Sequence, residues 1–186
     1  MIESHDRSGY FGASDTDKIV GKWGSPSWQK WWLEKLGIAR NTFTNEAMNC
    51  GTMLEHRILE FLDIPEMEFD KQIIIEEECL RVNLDGNTTD TNYEVKTYKE
   101  GKAFALPRKY INQTQVQMYA SKLRKTILIA YAVTDRDYKN YFLPIDPQRI
   151  TLFPIEYDEH FVTCKYLPRL RKLAEHLKKG EFPCDV

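Results

Sequence analysis

The sequence lacks the close cysteine and histidine pairs that hold a structural zinc ion or an iron–sulfur cluster. Cys50, Cys79, Cys164 and Cys184 are scattered, so they read as reduced thiols rather than ligands. No apolar run approaches the roughly 18 residues of a membrane span, and the opening MIESHDRSGYFGASD is too polar for a signal peptide. These absences predict a soluble, cytoplasmic protein without a membrane partner. Repeats, low-complexity tracts and an obvious linker are also missing, which leaves one domain spanning residues 1–186. Nor is there an excess of positive charge. With 26 basic and 28 acidic residues the net charge is -2. Phosphate neutralisation favours basic proteins, but an acidic metal site offsets local basic patches, so net charge decides little.

What is present is a globular composition, 42% hydrophobic and 29% charged, enough to build a core rather than a disordered chain. Ser14 or Asp15 opens a short helix to Val20, and Ser27 starts a second that Gly37 ends. NEAMNCGTMLEHRILEFL, residues 45–62, has apolar residues at three- and four-residue spacings, with Asn45 as N-cap and Pro65 beyond its end. KQIIIEEE, LRVNLD and NYEVKTY read as strands of an antiparallel meander, with Asp85-Gly86 and Asn87–Asn92 supplying turns. A helix follows from about Lys109 to Lys122, then strands TILIAYAVT and NYFLPI, then a basic helix over Asp158–Lys179 made irregular by Pro168. This order predicts an α/β (α+β) fold with a mixed central sheet flanked by helices.

The chemistry concentrates in NLDGNTTDTNYEVKTY. Strand side chains alternate faces, so Glu94 and Lys96 share one side and Val95 takes the other. Asp85, at the end of the preceding strand, faces that pair across a hairpin. Two carboxylates and an ammonium then converge, and oxygen ligands of this kind suit Mg²⁺ or Mn²⁺. A metal so held polarises a phosphate oxygen and acidifies a bound water, while a lysine stabilises phosphate charge or orients the water. Alone, the Glu-x-Lys triplet describes any solvated strand face. Glu55, inside the amphipathic helix one turn after Gly51, adds a third carboxylate.

Taken in order, GASD (12–15), the W-L-E-K-L-G stretch to Gly37, the Glu55 helix, NLDGN, YEVKT and YINQTQVQMY span about two-thirds of the chain. This ordered set resembles the lambda-exonuclease, or YqaJ-like, branch of the PD-(D/E)xK nucleases, whose core is restriction-endonuclease-like. The resemblance implies that Glu55, Asp85 and Glu94 hold Mg²⁺ (or Mn²⁺) with the Val95 carbonyl, and that Lys96 assists the attacking water. It places Gln115 beside the active site with Gln117 as the second glutamine of its motif, and makes Arg7 and Ser14 receivers of a terminal phosphate. It further implies 5′-to-3′ digestion of double-stranded DNA ends, a ring-shaped homotrimer, a single-strand annealing partner, and a phage protein in a bacterial host's cytoplasm. Asn83-Leu84 stand where the family usually has Ser-Pro, and the chain is short for the family. The alternatives are a structure-specific or restriction-like endonuclease, and a catalytically inactive DNA-binding module. The tryptophans at 23, 28, 31 and 32 read as core or interface, and His56 as structural.

Overall fold

In the computed structural model, which describes residues 8–40 and 44–183, five strands form one sheet. They are β1 (Glu68–Ile75), β2 (Leu80–Asn87), β3 (Asn92–Lys99), β4 (Lys125–Val133) and β5 (Ile150–Glu156). Spatial order follows chain order: β1–β2, β2–β3 and β4–β5 pair antiparallel, and β3–β4 pair parallel. A parallel neighbour requires a crossover, and the helix over Arg108–Ser121 provides it. The sheet is therefore mixed and flanked by helices, the α/β architecture expected from the sequence.

The helices are α1 (Thr16–Val20), α2 (Pro26–Lys35), α3 (Glu46–Phe61), α4 (Arg108–Ser121), α5 (Asp135–Lys139) and α6 (Leu167–Lys179). Asn45 caps α3 by accepting a hydrogen bond from the Met48 N–H, as its position predicts. The apolar stripe of α3, Cys50, Leu54, Ile58 and Leu59, packs on Tyr93, Val95, Ile129, Tyr131 and Val133 of β3 and β4. On the other face of the sheet, Met118 of α4 meets Leu128 and Ala130. Alternation along β3 thus sends Val95 toward α3, while Glu94 meets the α4 side chains.

All four tryptophans are buried. Trp28 and Trp32 stack with ring centroids 5.4 Å apart, in one core with Phe11, Val82, Val116 and Leu170. They form core rather than a stacking platform for bases. The basic C-terminal segment is also put to structural use. Arg169 donates to the Ile19 and Gly21 carbonyls, Arg171 pairs with Glu78, and Lys178 donates to the Glu77 carbonyl.

Two expectations are corrected. Residues 140–145 are not a strand: Phe142 is 74% exposed there, and the chain runs through turns toward Pro144 and Pro147. The fifth strand is instead Ile150–Glu156. Its Pro154 lacks an N–H, which an edge strand tolerates, and among the described residues β5 pairs only with β4. The three glutamates after Ile75 leave β1 for a short 3₁₀ turn, because the Glu78 carboxylate is drawn inward to Tyr119 and Arg171. Before Pro168 the chain widens into a π-helical segment, Phe161–Tyr166, consistent with a proline that cannot donate to the turn before it. Among the described residues, no helix is long and apolar enough to cross a membrane.

Candidate active site

The helix α3 comes close to β3 at Gly51, where a Cβ would lie 3.3 Å from the Thr97 hydroxyl oxygen. One turn later this proximity delivers Glu55 to the mouth of the β2–β3 hairpin. The hairpin ladder holds Gly86 to Tyr93 and Asn87 to Asn92 and then stops. Asp85 and Glu94, the pair that this register would join next, lie where the two strands part. Asp85 instead accepts a 2.8 Å hydrogen bond from the Val95 N–H. Gly86 beside it leaves room for the Met67 sulfur and Leu59, which a Cβ would approach to 2.7 Å and 3.2 Å.

A cleft of about 390 Å³ opens at this point, lined by Glu55, Asp85, Glu94 and Lys96, the four residues singled out from the sequence. That volume suits a nucleotide-sized ligand. Ser14 lines the same cleft from the turn before α1. Arg7 lies outside the described residues. Lys35, Tyr10 and Arg81, which sequence reasoning missed, complete this end of the cleft. Lys35 is nearly buried and ion-paired with Asp15 at 2.6 Å, and Asp15 also accepts from the Gly12 N–H and the Trp31 indole.

Glu94 is only 2% exposed, so its carboxylate needs partners. One oxygen is met by the Lys96 ammonium and by Gln113 Nε2, the other by Gln117 Nε2. Gln113 and Gln117 are four residues apart and share a face of α4. Gln115 is between them in sequence but points away, which corrects its assignment beside the active site. Its amide donates to the Glu156 carbonyl and accepts from the Asp158 N–H, tying α4 to the end of β5. Helical periodicity, applied to 113, 115 and 117, is the signal that could have separated them.

The electrostatics describe a cleft short of positive charge. Burial, then the charges of Glu94 and Glu55, push the Asp85 carboxyl well above its ordinary range. Burial and Glu94 raise Glu55 to about 7. Lys96 is pulled down by burial, but Glu94 and Asp85 outweigh this and hold it firmly protonated. Closely placed carboxylates raise one another's pKa in this way when too few cations share the site. A divalent ion would supply that charge, so the oxygen-rich donor set fits Mg²⁺ or Mn²⁺.

One further group faces the cleft. Glu55, His56 and Asp70 offer ligand atoms that all lie within 4.8 Å of one another, the His56 Nε2 standing 3.0 Å from Asp70.

No protein-family model and no curated protein matches the chain. Solved structures do match. An alkaline exonuclease (LHK-Exo) from Laribacter hongkongensis superposes with a TM-score of 0.70 over 93% of this chain and 90% of its own, at 22% sequence identity. Its complex with dAMP aligns equally well. A phage related exonuclease from Haemophilus somnus aligns with a TM-score of 0.67 over 91% of this chain and 95% of its own, at 13% identity. This chain has the fold of these exonucleases, and it spans nearly their full length.

Proposed function

We propose that the chain is a lambda-exonuclease-like nuclease, a metal-dependent exodeoxyribonuclease that degrades linear duplex DNA. The observation that carries this reading is the convergence of Glu55, Asp85, Glu94 and Lys96 in one cleft of an exonuclease fold. A Glu-x-Lys triplet means little on a strand face, but with Asp85 and Glu55 around a common cavity the four residues have a joint use. The neighbour that binds dAMP, a deoxynucleoside monophosphate, favours DNA as substrate and mononucleotides as product.

Asp85 and Glu94 would hold Mg²⁺ (or Mn²⁺), with Glu55 and the Val95 carbonyl as further ligands. When bound, such an ion polarises the scissile phosphate and lowers the pKa of a coordinated water. Lys96 would orient the attacking water and counter charge building on the phosphate. Gln113 and Gln117 hold the Glu94 carboxylate in one orientation, so that it does not have to be fixed at the moment of reaction. Ser14, with Arg7, receives the 5′ phosphate, and digestion runs 5′ to 3′. A homotrimer, a single-strand annealing partner and a phage-encoded role in recombination in a bacterial host's cytoplasm complete the reading.

Incubation with linear duplex DNA carrying a label at either the 5′ or the 3′ end, beside closed circular DNA, tests it. With Mg²⁺ present, the 5′ label should leave first as a mononucleotide and the circle should survive. Cleavage of the circle would make the protein an endonuclease of the same fold. Binding without cleavage of either would make it an inactive DNA-binding module.

A further inference from the structure

The cations of the chain are unevenly spread. From Gly101 to Thr134 the sequence has six Lys or Arg and no Asp or Glu, although acidic residues outnumber basic ones 28 to 26 overall. Three of the six are exposed between β3 and the first turn of α4: Lys102, Arg108 and Lys109. That first turn holds no acidic residue. The free N–H groups of a helix N-terminus already make it positive, so further cations there work against the stability of the helix. Arg108 and Lys109 also lack a carboxylate partner among the described residues. Charge placed against a local rule, without compensation from a neighbour, marks a use outside the fold.

Lys109 stands where such charge meets the cleft. It precedes Gln113 by one turn of α4, and Gln113 lines the cleft. The Lys109 ammonium lies over the Tyr110 ring, 4.9 Å from its centroid, and the Lys96 ammonium lies over the same ring at 5.2 Å. Phe104 stacks on Tyr110 at 6.3 Å and packs in turn against Tyr98 and Phe153, which anchors the ring. A cation without an acid is thus held one aromatic ring from the lysine assigned to the reacting phosphate. We propose that Arg108 and Lys109 grip the DNA backbone phosphates next to the one at Lys96, and so keep the strand seated in the cleft. A DNA strand carries one negative charge for roughly every 3.4 Å of axis, so flanking phosphates come within reach of side chains this long. The inference rests on the nuclease reading for its substrate and adds a binding surface to it.

Fluorescence anisotropy with a labelled linear duplex in EDTA, repeated over a range of salt concentrations, measures the grip without recourse to cleavage. Arg108→Gln combined with Lys109→Gln should weaken binding about 10-fold and make the log–log salt slope shallower by roughly 2, since each lost phosphate contact removes about 0.9. The same variant should melt at a higher temperature than the wild type, because the helix N-terminus is relieved of two cations. Lys122→Gln combined with Lys125→Gln removes equal charge beyond the other end of α4 and should leave the slope unchanged. If the first variant binds with the wild-type slope, or both variants flatten it equally, the grip does not exist, and digestion by the wild type still upholds the nuclease reading. If the wild type neither binds nor digests the duplex, the nuclease reading fails and the grip fails with it.

Discussion

Asp85→Asn should make the metal-free protein more stable while removing its activity. The Asp85 carboxyl is held well above its ordinary range by burial and by the charges of Glu94 and Glu55, so its ionised form is unwelcome in the folded chain. An asparagine keeps an oxygen for the Val95 N–H, which now donates at 2.8 Å to the aspartate, and brings no charge. Removing a poorly compensated charge from such a site is worth about 1–2 kcal/mol. For a domain of this size, each kcal/mol shifts Tm by roughly 2–4 °C. The sign with pH is fixed. A carboxyl whose folded pKa is raised stabilises the fold at low pH, where it is protonated, and that contribution is lost as pH rises through the folded value. The advantage of the variant should therefore grow as pH rises from the ordinary carboxylate range toward alkaline pH. Thermal melts in EDTA across that range, with nuclease assays in Mg²⁺ on the same samples, measure both halves. A lower Tm for the variant at high pH would refute the account of a cleft short of positive charge.

Lys96→Ala should retain metal binding yet lose about 10²–10³-fold in turnover, measured by single-turnover hydrolysis at saturating Mg²⁺. Gln113→Leu should cut activity roughly 10-fold or more by freeing the Glu94 carboxylate. Gln115→Leu should leave activity intact and instead lower stability by about 1–3 kcal/mol, read from denaturant melts, because two hydrogen bonds to the end of β5 are lost. With Glu55 raised to about 7, the metal-free wild type should melt higher at pH 5 than at pH 8, and saturating Mg²⁺ should reverse that order in calorimetry.

The site was more legible in the sequence than the periphery of the fold. Strand alternation alone placed Glu94 and Lys96 on one side, and the turn residues placed Asp85 opposite, because both follow from local geometry. Glu55 was found from its place in an amphipathic helix, although its approach to β3 depends on the tertiary contact at Gly51. Gln115 falls on the family's glutamine motif, but helical period puts 113 and 117 on the face toward Glu94 and turns 115 toward the end of β5. His56 shows no partner in the sequence pattern, because Asp70, 14 residues away in β1, is brought to it only by the fold. The apolar run at 140–145 resembled a strand, but asparagine and proline there favour turns, and the strand formed where β4 offered a partner. Edge pairing of that kind is settled by the sheet, not by propensity.

The most direct test of the central claim is the release of mononucleotides from linear duplex DNA by the wild type and by Glu94→Gln, each in Mg²⁺ and in EDTA. Wild type in Mg²⁺ should release them, and the other three combinations should not. Release in EDTA, or by Glu94→Gln at the wild-type rate, would contradict a metal-dependent mechanism built on this cleft.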